Sequence, residues 1–541
     1  MKKLILSISL AVFLQSMAQA QNIEIADPIF KAYLLANEEI NTNGDEHIQL
    51  SEAIAFSGSI GIRDSNLEDL SGIEHFINLE HLFIPNNKIK NLDLSKNTKL
   101  KRLGCNNNQI TQLDLSHQPL LELLVCNNNN LTHLQLAPEH EIKMLMAHEN
   151  QINTLYLGAS PQLHTFWIQV NEVNHIDLTS FPQLESLLIK GGAYTSLNTS
   201  KNPILSLVNL YDAKYLQALD LSKNPRIESL SIDAPIENLD ISNLEKLSWF
   251  TLNNVNFRNL DLSHNLLLER LDIDSTALEK IHFNKASLLN NIIVRNTPLT
   301  SLDLQNIPKL NYILLENTPL KALDFKENIL LKNLNLLDNN QLKQINISNN
   351  KALETLAIIN SPIDYLDLSQ QKELYFISQK KTNLKYLDLS KQEKLNNFVI
   401  NENEYLEWIN LSNKQNKKIE KFYLQYNPAL HCVQVDDAKY SENTWSSTPF
   451  EKDNHIKFSN DCNIAYNSNH TLSMIYPNPA KDIIYIESKS EINIEIINLQ
   501  GAIIRQEKLQ AGSNKIDIQN LNSGMYLIQA KGGESIKFIK A

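Results

Sequence analysis

The chain has 541 residues, 42% of them hydrophobic and 20% charged, with a formal net charge of −12. That balance suits a large folded body. The acidic excess and the lack of any dense basic tract exclude a nucleic-acid partner, because phosphate binding concentrates Lys and Arg on one face. The fourteen histidines are scattered, and no nucleophile elbow, HExxH zinc site, phosphate loop or dinucleotide fingerprint occurs, so the residues point away from an enzyme.

The first residues read as an export signal. Lys2 and Lys3 precede an apolar run from Leu4 to Leu14, and Ala18-Gln19-Ala20 places small residues where a signal peptidase cuts. The expected leader is residues 1–20, with the mature chain starting at Gln21. Removing Lys2 and Lys3 leaves 47 basic against 61 acidic residues, so the net charge moves from −12 to −14. No other stretch reaches the roughly 20 apolar residues of a spanning helix, so no transmembrane segment is expected after signal removal.

Residues 21–61 are expected to form a small helical cap. Asp27-Pro28 starts a helix with Pro at its first position and Phe30, Tyr33 and Leu34 on one side. The following NTNGDEHIQLSE, Asn41 to Glu52, resembles a calcium-binding EF-hand loop. Asn41, Asn43 and Asp45 take positions one, three and five, the His47 carbonyl position seven, and Glu52 the bidentate position twelve. Asn41 stands where the motif has an acid and Glu46 where it has glycine, so only Asp45 and Glu52 bring full charge. Weak calcium binding is one reading and a metal-free helix-turn-helix cap the other; no further cofactor is indicated.

From residue 62 to 430 the chain repeats. An aliphatic-x-aliphatic triplet recurs at Leu92, Leu113, Leu134, Leu155 and Ile176, always 21 residues on, and continues at intervals of 20 to 22 to Ile409. A fixed period in this range marks a solenoid, whose units are too small to bury an apolar face alone and so stack. Within one unit the aliphatics follow L-x-x-L-x-C-x-x-N-x-I-x-x-L-x-L, Leu100 to Leu115, the leucine-rich repeat pattern. Two alternating triplets per unit, Leu103-Gly-Cys105 and Leu113-Asp-Leu115, predict two short strands. Twenty-one residues leave no room for a full helix, so two parallel ladders are expected.

Asn87, Asn108, Asn129, Asn150 and Asn171 precede the markers by five residues, where the chain leaves its first strand. Their amides are expected to satisfy turn backbone groups in their own coil and the next. Cys105 and Cys126 replace buried aliphatics. Asp occupies the outward centre of the marker in ten of sixteen turns and reads as a solvated position. The outward row of the first strand is the most informative. Phe83, Gly104, Val125, Met146, Trp167 and Leu188 stand there, whereas later units write Thr251, Asp272, Asn335 and Ser378, interrupted by Ile293 and Leu314. An apolar stripe on a solvated face marks a partner site, with Trp167 as its anchor and Phe83, Val125, Met146 and Leu188 beside it.

Residues 431–462 are expected to cap the solenoid. Cys432 and Cys462 flank this non-repeating segment, and in an exported chain a disulfide between them is expected. Residues 463–473 read as a linker. Residues 474–541 then alternate in short strands around Ile492-Asn-Ile494-Glu-Ile496, Lys515-Ile-Asp-Ile518 and Met525-Tyr-Leu-Ile528, punctuated by Gly501, Gly512, Gly524 and Gly532, which predicts a β-sandwich.

Three resemblances sharpen these expectations. CNNNQITQLDLS and LDLSKNPRIESL are similar to the short leucine-rich repeats of internalin-like surface proteins of the Bacteroidetes. The first repeat of that family resembles Leu67 to Leu82, and its terminal cap resembles Asn427 to Cys462. The motifs YPNP, LNSGMYLI and KFIKA resemble the C-terminal sorting domain (type A) of the type IX secretion system. That resemblance implies export by the type IX machinery, followed by release or attachment to surface lipopolysaccharide. The fold class expected is mainly β: a leucine-rich-repeat solenoid with a helical N-terminal cap and a C-terminal β-sandwich sorting domain. The function expected is a secreted or cell-surface protein that recognises a protein or glycan ligand. The alternatives are a structural or adhesive envelope protein acting by self-association, or a β-helix enzyme acting on polysaccharide.

Overall fold

The computed structural model describes residues 21–540 apart from 171–172, 285–287, 447, 463–471, 477–479, 489, 499–501 and 531–534. The expected leader, Asn171, the expected linker up to 471 and the last three residues of YPNP lie outside the described residues. The chain divides into two compact units. One runs to Asp364 and includes Phe376–Thr382; the other comprises Tyr365–Tyr375 and Asn383–Ala541.

The first unit opens with helix α1, Pro28–Leu35, whose N-cap Asp27 accepts from the N–H groups of Ile29 and Phe30. The other Asp27 oxygen accepts from Glu68 N–H at 3.0 Å and Asp69 N–H at 3.3 Å, so one carboxylate ties the cap to the first coil. Burial raises its pKa, but these four N–H groups outweigh that and leave it below the ordinary value. Helix α2, Leu50–Ala55, follows the Asn41 to Glu52 loop. Gly72 sits at φ +104, where a Cβ would come within 2.3 Å of Ile25 Cδ1; only glycine allows this contact between cap and coil.

From Ser59–Gly61 onward each coil contributes one strand to a parallel ladder that runs to Phe376–Lys380 within this unit. Partner residues are one repeat apart, as in Leu103 with Leu124 and Phe166 with Leu187. The inward residues, among them Leu82, Ile84, Leu103, Cys105, Leu124 and Cys126, are fully buried. The marker triplets themselves form a second, broken ladder, for instance Gln112–Leu115 with His133–Leu136 and Asn259–Leu262 with Lys280–Phe283. Most coils leave the first strand through one residue of positive φ, including Asn86, Asn107 and Asn128 at +59, +56 and +55. Asparagine tolerates this left-handed conformation better than any branched residue, which explains the asparagine just before each buried corner amide.

In the second unit, Tyr386–Asp388, Trp408–Asn410, Cys432–Gln434 and Lys457–Ser459 form a parallel second ladder. Phe450–Lys452 extends the first ladder from Lys421–Leu424. The cap thus supplies one last coil, carrying helix α3, Ala438–Thr444. Its interior is aromatic: Trp445 packs edge-on against Phe422 and Phe458, with centroids 5.2 and 5.3 Å apart. The C-terminal segment is antiparallel. A sheet of Leu472–Tyr476, Ile483–Ser488 and Gly512–Asp517 and a sheet of four strands between Ile492 and Lys540 share one core, with Ile484, Ile486, Ile494, Ile496, Ile516, Ile528 and Phe538 buried. Its first strand starts at Leu472, two residues before the expected boundary.

Candidate functional site

The asparagine runs are structural on both sides of the corner. The amide of Asn129, nearly buried, donates to the carbonyls of Cys105, Cys126 and Asn127 at 3.0, 3.1 and 3.4 Å, and its oxygen accepts from Ile110 N–H at 3.0 Å. Asn108 and Asn150 repeat this pattern one coil down and up. Each amide therefore reaches its own coil and the preceding one, not the next as the sequence suggested. The direction follows from the sense in which parallel coils advance. Beside them the exposed left-handed residues link amide to amide: Asn107 donates to Asn86, and Asn128 to Asn107, both at 2.6 Å.

A second buried amide row escaped the sequence reading. Asn97, Gln118, Asn202, Asn265 and Asn328 in the first unit follow the marker and donate to carbonyls about a coil earlier, as Asn202 does to Leu178 and Phe181 at 3.0 and 2.8 Å. The recurring L-D-L-S-x-N phrase carried that signal. The marker aspartates are also more than solvated. Asp93, Asp114, Asp177, Asp220, Asp240 and Asp261 each accept from the N–H two residues on, closing an Asx turn. For Asp240 and Asp261 the backbone N–H, then the hydroxyl, of Ser242 and Ser263 holds the carboxyl below the ordinary value of 3.8.

The EF-hand-like loop closes on itself. Glu52 Oε1 accepts from Thr42 N–H and Oγ1 at 2.9 Å and from Asn43 N–H at 3.3 Å, while Oε2 accepts from Gln49 N–H at 2.9 Å in a capping box. Asp45 accepts from His47 N–H, Asn43 and Gln49. Asn41 spends its Nδ2 on the Leu35 and Asp45 carbonyls. Positive φ falls at Gly44, not at the Glu46 position. Among the described residues no three His, Cys, Asp or Glu side chains gather as a metal group. Both carboxylates are engaged within the protein, while Asn41 Oδ1 is buried with no hydrogen-bond partner.

The outward row is placed by strand alternation. Phe83, Val125, Met146, Trp167 and Leu188 are half-buried, and each stands between two fully or almost fully buried neighbours, such as Phe166 and Ile168 around Trp167. Met146 pairs with Val125 and Trp167, and Trp167 with Leu188, so these side chains stand one strand spacing apart, ~4.8 Å. Gly104 does not interrupt the stripe. The Phe83 ring lies where its Cβ would be, 2.8 Å from Phe83 Cδ1. Leu123 and Met144 broaden the patch: they pair with each other two residues before Val125 and Met146 and share their face. Sequence reading followed only the central position of each strand and so missed this second row. Trp167 Nε1 donates to Ser186 Oγ at 2.9 Å, which fixes the indole. The His148 ring lies 6.3 Å away, and burial holds its pKa below the ordinary value, so at neutral pH it adds no charge there. Farther along, the face turns polar: Arg270 lies 4.7 Å over the exposed Trp249 ring and, with Arg295, pairs with Asp272.

The cysteines separate by environment. Cys432 and Cys462 form a disulfide with Cα atoms 5.8 Å apart. Cys105 and Cys126 are free and buried; burial pushes the Cys105 thiol up to about 12 and Cys126 well above its ordinary range, so neither is a thiolate at neutral pH.

Two stacked ladders of coils of about 21 residues, built on inward leucines and amide corners, define a leucine-rich-repeat solenoid. Its fold is similar to the functional domain of InlJ from Listeria monocytogenes, described as including a cysteine ladder, at 19% identity, a TM-score of 0.50, and coverage of 95% of this chain and 98% of that one. It is also similar to a leucine-rich-repeat protein of Leptospira interrogans, at 16% identity, a TM-score of 0.48, and coverage of 76% and 97%. Comparison with curated proteins returns no match. Residues 474–541 match the family described as secretion system C-terminal sorting domain. The chain thus has a leucine-rich-repeat solenoid fold and carries a type IX secretion sorting domain, and it is secreted or displayed at the outer surface. No helix among the described residues is long and apolar enough to cross a membrane.

Proposed function

We propose that this protein is a binding module whose first-strand face recognises a protein or glycan ligand, with no catalytic step. In this reading residues 21–61 and 431–462 cap a solenoid of residues 62–430, and residues 463–473 link it to the sorting domain. The observation that carries the proposal is the contiguous patch of Phe83, Leu123, Val125, Met144, Met146, Trp167 and Leu188 on a strand face that next carries Asn209, Ser231, Thr251 and Asp272. Trp167 is the anchor, because a large amphipathic ring held by a hydrogen bond loses little entropy when a partner covers it. A solenoid exposes much surface for its mass and tolerates change at outward positions, which suits recognition.

The test is a screen of residues 21–462 on protein and glycan arrays beside Trp167→Ala and Phe83→Ala. A specific hit weakened by either substitution supports the patch. A hit that ignores both removes it. No hit, with self-association in ultracentrifugation, supports the structural envelope reading instead.

A further inference from the structure

The methionines of the solenoid are gathered in one place. Of the six in the chain, Met1 and Met17 fall in the expected leader and Met474 and Met525 in the sorting domain, so the long stretch between carries Met144 and Met146 alone. Both stand on the strand Met144–Ile152, outward beside the buried Leu145 and Ala147, and both are half-buried. Met144 pairs with Leu123 and Thr165, and Met146 with Val125 and Trp167. This strand therefore joins the two halves of the apolar patch, Leu123 and Val125 on one side and Trp167 and Leu188 on the other. Packing does not require methionine there, because other rungs place branched aliphatics at the outward position of Met146, as at Val125, Leu188, Ile293 and Leu314.

What methionine adds is a flexible thioether that peroxide converts to a sulfoxide. The sulfur attacks one peroxide oxygen, so that an S–O bond forms and the O–O bond breaks. The second oxygen leaves as hydroxide and takes the proton of the first to become water. Sulfur gives up two electrons and the peroxide gains them. The product sets a strong acceptor into an apolar surface, where the donors paired with it across the ladder are already committed. Trp167 Nε1 donates to Ser186 Oγ, and the Thr165 hydroxyl is engaged with His164 Nδ1 at 3.0 Å. The new oxygen holds water instead, and anything that covers it must strip that water. The thiols of the neighbouring strands are spared. Cys105 and Cys126 face inward and are fully buried, and burial keeps both protonated, whereas peroxide attacks the thiolate.

We propose that Met144 and Met146 are an oxidation site, at which hydrogen peroxide converts both thioethers to sulfoxides and so turns the first-strand patch from an apolar to a polar surface. Its consequence for recognition rests on the reading of that patch as the binding surface. Both side chains point outward, so oxidation leaves the inward leucines and the amide corners untouched, and the fold survives while the surface changes. Methionine sulfoxide reductases reverse the step, so the patch is switched and not destroyed.

The test treats the mature chain with hydrogen peroxide and follows peptide mass spectrometry, circular dichroism and binding of the uncharged apolar dye Nile red. Variants are Met144→Leu combined with Met146→Leu, and Trp167→Ala. The expected result is one added oxygen on each of Met144 and Met146 with native circular dichroism, and with Cys105 and Cys126 still free thiols. Dye binding falls in Trp167→Ala, which places the dye on the patch. On oxidation of the parent it falls roughly tenfold, the scale of one polar group set into an apolar contact. In the leucine variant it matches the untreated parent before and after peroxide, and sulfoxide reductase restores the oxidised parent. The inference is overturned by either methionine staying reduced while the fold is native, or by oxidation only after circular dichroism is lost. Dye binding that ignores peroxide in the parent, or that falls equally in the leucine variant, also overturns it. A ligand screen without a hit bears on the binding reading alone, since none of these signals uses a ligand.

Discussion

Replacing Asn129 by Ala removes four hydrogen bonds, but their loss is unequal. The Cys105 carbonyl keeps the Asn108 amide at 3.0 Å and the Cys126 carbonyl keeps the Asn150 amide at 3.0 Å, because each carbonyl is shared by consecutive rungs. The Ile110 N–H loses its only acceptor, Asn129 Oδ1. A buried donor left unmet costs about 1–3 kcal/mol, and each lost carbonyl bond about 1 kcal/mol more. The expected destabilisation is therefore about 3 kcal/mol, concentrated in the coils around Leu103 to Leu131. Repeat proteins open locally, so a global midpoint alone is a poor measure. The assay is urea unfolding combined with amide hydrogen exchange, reading Ile110 against the distant Leu334. Exchange at Ile110 should accelerate by orders of magnitude while Leu334 is unchanged. A loss under about 1 kcal/mol with protected Ile110 would refute the claim that the ladder amide carries this donor.

Asn107, at φ +56, should tolerate Gly with little loss, whereas Asn107→Val should cost about 1–3 kcal/mol, since a branched side chain is strained there; equal melting temperatures for the two would contradict this. Asp240 and Asp261 titrate below 3.8 when folded, so their contribution is complete above that value and is lost as pH falls through the lower folded value. Stability should thus drop on the acid side, and Asp240→Asn with Asp261→Asn should flatten that limb; an unchanged acid limb argues against the Asx turns as its source. Removing the Cys432–Cys462 crosslink, with its sequence separation of 30, should loosen the cap by about 3–4 kcal/mol on the chain-entropy account, read as early proteolysis between His431 and Cys462. Millimolar calcium should give no calorimetric heat with the mature chain, since Glu52 and Asp45 are engaged by the loop itself; a saturable heat abolished by Glu52→Gln would establish a metal site.

Much of the architecture was legible because it is written in covalent spacing. The 21-residue period, the alternation around Leu82-Phe83-Ile84 and the amide at each corner are properties of a single coil repeated, and strand geometry alone places Phe83 outward and Leu82 inward. The tail was legible for the same reason, with its motifs lying in order along the chain. The candidate site was legible only as a line. Its second row, Leu123 and Met144, lies on the same face, and recognising it as one patch requires knowing which strands pair and how many residues each contributes.

By itself, then, the sequence determined the coil, its inward face, the polar corners and the export address, all of which depend on neighbours within about one repeat. The tertiary structure decided what one coil does to another. It sends the Asn129 amide back to Cys105, gives the Asp27 carboxylate to Glu68 and Asp69, turns Glu52 into a helix cap and seats the Phe83 ring over Gly104. Those contacts depend on the handedness and register of stacking. The spacing of residues in a single coil does not encode either, because the same alternation can be stacked in either sense until backbone chirality and packing select one.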